Sequence, residues 1–125
     1  MAAHAPERTV VVVDDEPGVL RFVAFALRSR GYQVLEAAGA AEALLVTQEH
    51  SGPVHLLLTD VVMPGTDGLS LWQSLKILRP EAKVLFMSGH AGDGLQIDSL
   101  LVRKPFSVTD LLRKVEETVR QPGGC

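Results

Sequence analysis

Five short apolar runs divide the chain, and each is followed by residues that end a strand or begin a helix. The first, Thr9–Val13 (TVVVV), is an unbroken β-branched run. A strand with one face in water would alternate apolar and polar, so an unbroken run reads as a strand buried on both faces. The other runs are 33–36, 54–59 (VHLLLT), 83–87 (KVLFM) and 100–103. Helical patterns lie between them. Pro17 suits a first helical turn, Leu20, Val23, Ala24 and Leu27 follow at helical spacing, and Gly31 ends the pattern. Ala40–Glu49 has a small apolar face around Ala43, Leu44 and Thr47. Asp67 opens a helix carrying Leu71, Trp72, Leu75 and Leu78, which stops at Pro80. Ser107 and Asp110 form an acidic capping box ahead of Leu111, Leu112, Val115 and Val119. Strands alternating with helices predict an α/β fold, a parallel sheet covered on both faces with right-handed crossovers.

Length and composition bound what such a sheet can do. The 125 residues suit one domain over 9–120, with frayed ends at 1–8 and 121–125, the latter also suiting a linker stub. With 46% apolar and 22% charged residues, the chain is too apolar to be disordered. A net charge of −3 argues against nucleic acid as a direct partner. The single cysteine, Cys125, excludes an internal disulfide framework and a multi-cysteine metal site. No apolar run reaches the ~20 residues of a membrane span, and residues 1–9 have no signal-peptide core. These features predict a soluble cytoplasmic protein with no membrane partner.

In open parallel sheets, ligands bind beyond the carboxyl ends of the strands. The first run ends in Asp14, Asp15 and Glu16, the third in Asp60, the fourth in Ser88 and Gly89, and the fifth in Lys104 and Pro105. Neighbouring strands lie ~4.8 Å apart, so these groups can converge on one cleft. Clustered carboxylates repel, and each carboxyl pKa rises unless a cation intervenes. A hard divalent ion such as Mg²⁺ is the natural remedy, with Lys104 as a second, fixed positive charge. Together with a hydroxyl, these groups can hold a phosphoryl group, and a carboxylate can accept it as an aspartyl phosphate. Singly, Asp14 or Asp15 could cap the first helix, and Asp60 could be a turn residue before Met63-Pro64-Gly65. Ser88 and Lys104 alone read as ordinary surface residues. Their joint placement at strand ends favours a site.

The stretches VVVVDDEP (10–17), LLLTDVVMPGTDGL (56–69), VLFMSGHA (84–91) and RKPF (103–106) resemble the receiver domain of bacterial two-component response regulators. The resemblance covers about residues 8–120, with four motifs in the family's order. It implies a flavodoxin-like, doubly wound five-stranded sheet of order 2-1-3-4-5. It implies that Asp60 is the phosphoacceptor, attacking a phosphohistidine on a sensor histidine kinase or a histidine phosphotransfer protein. Asp14 and Asp15 match the acidic pair that binds Mg²⁺, Asp15 directly and Asp14 through water, and the Val62 backbone carbonyl matches a further ligand. Ser88 matches the hydroxyl that turns toward the phosphoryl group, and Lys104 the lysine that pairs with it. The family also implies a cis Lys104-Pro105 bond. Met63-Pro64 with Gly65 and Asp67-Gly68 match the loop after the acceptor, and Gly89 a small residue that leaves the acceptor open. The SGHA and RKPF segments look most like receivers attached to hybrid sensor kinases.

The sequence departs from the family between Ser88 and Lys104. Only 89–99 is available where a full helix is usual, with glycines at 89, 92 and 94. Glycine costs ~1 kcal/mol per helical position, so the fourth helix is expected to be absent or a single turn around 95–99. Leu101 stands where the family has an aromatic switch residue, which predicts an altered output face. Val62 is expected to slow hydrolysis by its apolar bulk. Phe22, Phe25 and Trp72 read as core or interface residues on helices. His4, His50 and His90 lie on unrelated segments and are not expected to bind metal, while His55 reads as a packed or edge residue. The implied activity is a phosphoacceptor that catalyses only its own modification, not an enzyme with a turnover substrate. Two other readings compete. A Mg²⁺-dependent phosphohydrolase of the haloacid-dehalogenase type would need a second Asp two residues after the nucleophile, where Val62 stands. A non-phosphorylated interaction module would keep the fold without the chemistry.

Overall fold

The computed structural model of this chain describes residues 8–89 and 101–120. Strand β1 is Thr9–Val13, helix α1 Pro17–Arg28, β2 Gln33–Ala37, α2 Ala40–Glu49 and β3 Leu56–Asp60. There follow β4 Val62–Met63, β5 Thr66–Asp67, α3 Gly68–Leu78, β6 Lys83–Ser88, β7 Leu101–Arg103 and α4 Val108–Arg120. Five parallel strands pair in the order β2-β1-β3-β6-β7. Leaving aside the two-residue strands β4 and β5, that is the expected 2-1-3-4-5 order, and the fold is flavodoxin-like α/β.

The unbroken β1 run is buried throughout, and its alternate side chains serve two cores. Val10 and Val12 join Val23, Ala24 and Leu27 of α1 and Leu111, Leu112 and Val115 of α4. Val11 and Val13 join Ala43 of α2 and Leu71 and Leu75 of α3. The sheet is therefore covered on both faces, and each fully buried Val or Leu contributes roughly 1.5–3 kcal/mol. At α4, the Ser107 hydroxyl accepts from the Asp110 N–H at 3.0 Å, the first half of the capping box read from the sequence.

Several local readings need correction. β3 begins at Leu56 rather than at residue 54, because the Val54 N–H donates to the Glu81 carboxylate instead of a neighbouring strand. Of the core-or-interface reading of Phe22 and Phe25, exposure of 42% and 76% excludes the core alternative and leaves the interface one. Leu78 is also exposed, at the last turn of α3. Trp72 packs half-buried against the α2–α3 core. Between β3 and α3 the chain adds an antiparallel hairpin, β4–β5, that no sequence period marks. The predicted loss of the fourth helix, the frayed ends, His4 and His90 lie outside the described residues.

Candidate functional site

β1 and β3 are neighbours at the centre of the sheet, and the chain moves outward from them in opposite directions. Their carboxyl ends mark the switch point where α/β sheets bind ligands. Asp14 follows β1, Asp60 ends β3, and Lys104 follows β7. Asp14, Asp15 and Asp60 each place a carboxylate oxygen within 4.8 Å of the others. Asp14 is fully buried, Asp60 half-buried and Asp15 exposed.

Lys104 lies between two of these carboxylates. Its Nζ donates to Asp14 Oδ2 at 3.0 Å and to Asp60 Oδ2 at 3.2 Å. The other oxygen of Asp14 accepts the Glu16 N–H at 2.9 Å. Both Asp14 oxygens are thus occupied by protein donors, whereas Asp15 faces solvent. Glu16 stays out of the cluster and is the cap residue of α1. Burial pushes the Asp60 carboxyl up from its usual range. The charge and hydrogen bond of Lys104 oppose this, the Asp14 charge adds to it, and a Val62 backbone hydrogen bond opposes it. Burial alone would lower the Lys104 pKa, but hydrogen bonds and charge from Asp14 and Asp60 outweigh it and raise the net value.

The donor set decides what cation fits. It offers only oxygens, which suits a hard ion and gives a soft one no thiolate or imidazole. One ammonium among three ionised carboxylates leaves excess negative charge, which a divalent ion would neutralise. The cluster can therefore hold a metal ion, with Asp15 as its solvent-facing oxygen donor.

The loop after Asp60 is shaped by two glycines. Gly65 sits at φ +85° and turns the β4–β5 hairpin, a conformation that costs other residues strain. Gly68, the first residue of α3, lies against the Asp60 backbone. A Cβ there would collide with the Asp60 carbonyl oxygen and meet Thr59 Cγ2 at 3.1 Å. Asp67 caps α3 by accepting the Ser70 N–H at 2.7 Å. Val62 points outward and is 60% exposed. Ser88 is buried at the end of β6, one residue past the partner of Asp60 in the ladder. Among the described residues, a side chain on Gly89 would meet only Lys104 Cδ, at 3.9 Å. The Lys104-Pro105 bond is cis. Leu101 is buried in the α2–α3 core opposite Phe86.

The structure brings together Asp14, Asp15, Asp60 and Lys104, with Ser88 on the adjoining strand end. His55 lies before the amino end of β3, the opposite end from Asp60, and its Nδ1 accepts the Thr9 N–H at 2.9 Å. Beside Lys104 a groove of about 720 Å³ opens, walled by Pro17, Val19, Phe22, Pro105 and Phe106. Sequence reasoning did not find this groove, because its walls come from α1 and from the segment after β7. Two phenylalanines were its only signal, and their rings lie 6.3 Å apart. Among the described residues, no helix is long and apolar enough to cross a membrane.

Comparison with known proteins points the same way. The response regulator receiver domain family matches residues 10–116. Over 119 residues the chain is 40% identical to the sensor kinase CckA of Brucella abortus, covering 90% of this chain and 13% of that kinase. It is 33% identical to the response regulator receiver protein CpdR of the same organism, covering 88% of this chain and 95% of that protein. The crystal structure of the receiver domain from the hybrid histidine kinase CckA matches with a TM-score of 0.78 at 36% identity, covering 90% of this chain and 99% of that domain. A response regulator receiver domain from Clostridium thermocellum matches with a TM-score of 0.80 at 25% identity, covering 91% of this chain and 95% of that chain.

Proposed function

Because this chain belongs to the response regulator receiver domain family, we propose that Asp60 is its phosphoacceptor in a two-component or phosphorelay pathway. The observation that carries the reading is the Lys104 ammonium held at 3.0 and 3.2 Å between Asp14 and Asp60. An amine in that position can follow a phosphoryl group onto Asp60 without leaving the cleft.

In this reading an Asp60 carboxylate oxygen forms the new O–P bond as the N–P bond of a donor phosphohistidine breaks. The imidazole nitrogen leaves with the bonding pair and takes up a proton from water. Positioning and charge neutralisation supply most of the catalysis of such a transfer. Asp15, Asp60 and the Val62 carbonyl would hold Mg²⁺. Asp14, its oxygens already accepting from Lys104 and Glu16, would act through water. When bound, Mg²⁺ supplies neutralising charge for the phosphoryl oxygens. Lys104 then pairs with a phosphoryl oxygen, and the Ser88 hydroxyl turns to donate to another. A modification shifts a conformational equilibrium only through such differential contacts. With Leu101 buried in the core, the switch does not use an aromatic ring at that position, and the output face is altered.

The domain, residues 9–120, modifies itself and turns over no separate substrate. Its donor is a sensor histidine kinase or a histidine phosphotransfer protein, in the cytoplasm, and it signals to a downstream effector. Similarity to the receiver of a hybrid kinase and to a protein of nearly its own length supports either setting.

The test is exposure to acetyl phosphate with and without Mg²⁺, followed by intact mass. Wild type should gain one phosphoryl group only with Mg²⁺, and Asp60→Asn should gain none. Labelling of Asp60→Asn equal to wild type would overturn the assignment.

A further inference from the structure

Thr59 is a polar side chain in a strand that is otherwise apolar up to the acceptor. Leu56, Leu57 and Leu58 are fully buried, and so is Thr59. Burying a hydroxyl is unfavourable unless it finds a partner, and valine would fill nearly the same space without that cost. Its near partner is the acceptor's own backbone: Thr59 Oγ1 donates to the Asp60 carbonyl oxygen at 3.0 Å, with the Met63 Sδ a longer alternative acceptor at 3.9 Å.

That carbonyl belongs to the peptide unit joining Asp60 to Val61. The same unit's N–H, on Val61, donates to the Met87 carbonyl at 3.0 Å. One residue on, the Val61 carbonyl accepts the Gly68 N–H at 2.7 Å. The peptide plane is therefore pinned at both ends, and of these tethers only Thr59 acts through a side chain. A planar peptide leaves two soft dihedrals per residue, so fixing this plane restricts both Asp60 and the chain that follows.

We propose that Thr59 is a positioning residue for the acceptor site. Its hydroxyl locks the Asp60–Val61 peptide plane and so holds the Asp60 carboxylate and the Val62 carbonyl in one mutual arrangement. Thr59 itself touches neither metal nor phosphoryl group. The inference rests on the reading of Asp15, Asp60 and Val62 as a Mg²⁺ site.

Titration of wild type, Thr59→Val and Thr59→Ser with Mg²⁺, followed by the backbone amide NMR shifts of residues 61 and 62, tests it. Thermal unfolding of each variant is measured alongside. Thr59→Val should bind Mg²⁺ about 3- to 10-fold more weakly, the worth of one hydrogen bond, and Thr59→Ser should stay within about twofold of wild type. Unchanged affinity in Thr59→Val overturns the proposal. Equal weakening in both variants also overturns it, because serine keeps the hydroxyl. Should Thr59→Val fail to fold, Thr59→Ala against Thr59→Ser makes the same comparison. A wild type that binds no Mg²⁺ contradicts the metal reading itself, a result distinct from a wild type that binds and a valine variant that binds equally well.

Discussion

Replacing Lys104 by methionine keeps most of the aliphatic stem and removes the ammonium between two carboxylates. The Lys104 side chain is 20% exposed, Asp14 0% and Asp60 13%. Removing one partner of a fully buried pair costs about 3–5 kcal/mol. Here the amine and Asp60 keep some water, so the expected loss is about 2–4 kcal/mol at pH 7. At about 4 °C per kcal/mol for a domain of this size, Tm should fall by about 8–16 °C. The pH dependence gives a sharper test. Burial already holds the Asp60 carboxyl above the ordinary aspartate range, and losing Lys104 removes the largest influence that lowers it. Between the unfolded and folded pKa values, the folded state then holds more protons than the unfolded one, so stability falls as pH rises through that window. The deficit of Lys104→Met should therefore be largest near neutrality and narrow toward about pH 4, and millimolar Mg²⁺ should recover part of it at neutral pH. Urea unfolding at both pH values measures this. A deficit under about 1 kcal/mol, or one that is equal at both pH values, would refute the claim that the ammonium offsets the carboxylate charges.

Gly68→Ala should cost about 1–3 kcal/mol and impair phosphorylation, because its Cβ meets Asp60 backbone rather than a movable side chain; wild-type stability would show that the loop yields freely. Val62→Asn should lose phosphate several-fold faster than wild type, since Val62 is exposed beside the acceptor; equal autodephosphorylation rates would sink that role. Burial, then the charge of Arg8, lowers the His55 pKa below 6.5, with Glu81 opposing and His50 reinforcing. Below pH 6.5 the folded state then binds fewer protons than the unfolded one, and stability is lost as pH falls toward the folded pKa. An NMR titration of the imidazole with its midpoint above 6.5 would contradict this.

Much of the fold was legible because burial on both faces leaves an unbroken apolar run, as in Thr9–Val13. Asp14, Asp60 and Lys104 were legible as strand-end residues, and the Ser107 cap as a local hydrogen-bonding pattern. The hairpin of Val62–Met63 with Thr66–Asp67 was not, because two-residue strands have no period to detect. The start of β3 is not legible because the Val54 N–H turns to Glu81, 27 residues away. Phe22 and Phe25 were ambiguous because an aromatic ring on a helix carries the same signal whether it faces core or solvent. The doubled hydrogen bond of Lys104 spans 90 residues to Asp14 and 44 to Asp60, a separation at which no local pattern operates. The Thr59 hydroxyl bond joins adjacent residues, yet the sequence offers no sign of it, because threonine is also an ordinary strand former.

Borohydride reduction of the phosphorylated protein, followed by peptide mapping, locates the acyl phosphate directly, since hydride cleaves it and leaves homoserine at the modified aspartate. The account predicts that homoserine is found at position 60, in wild type and only after Mg²⁺-dependent phosphorylation. Homoserine at position 14 or 15, or a stable phosphoryl group that borohydride does not remove, would contradict it.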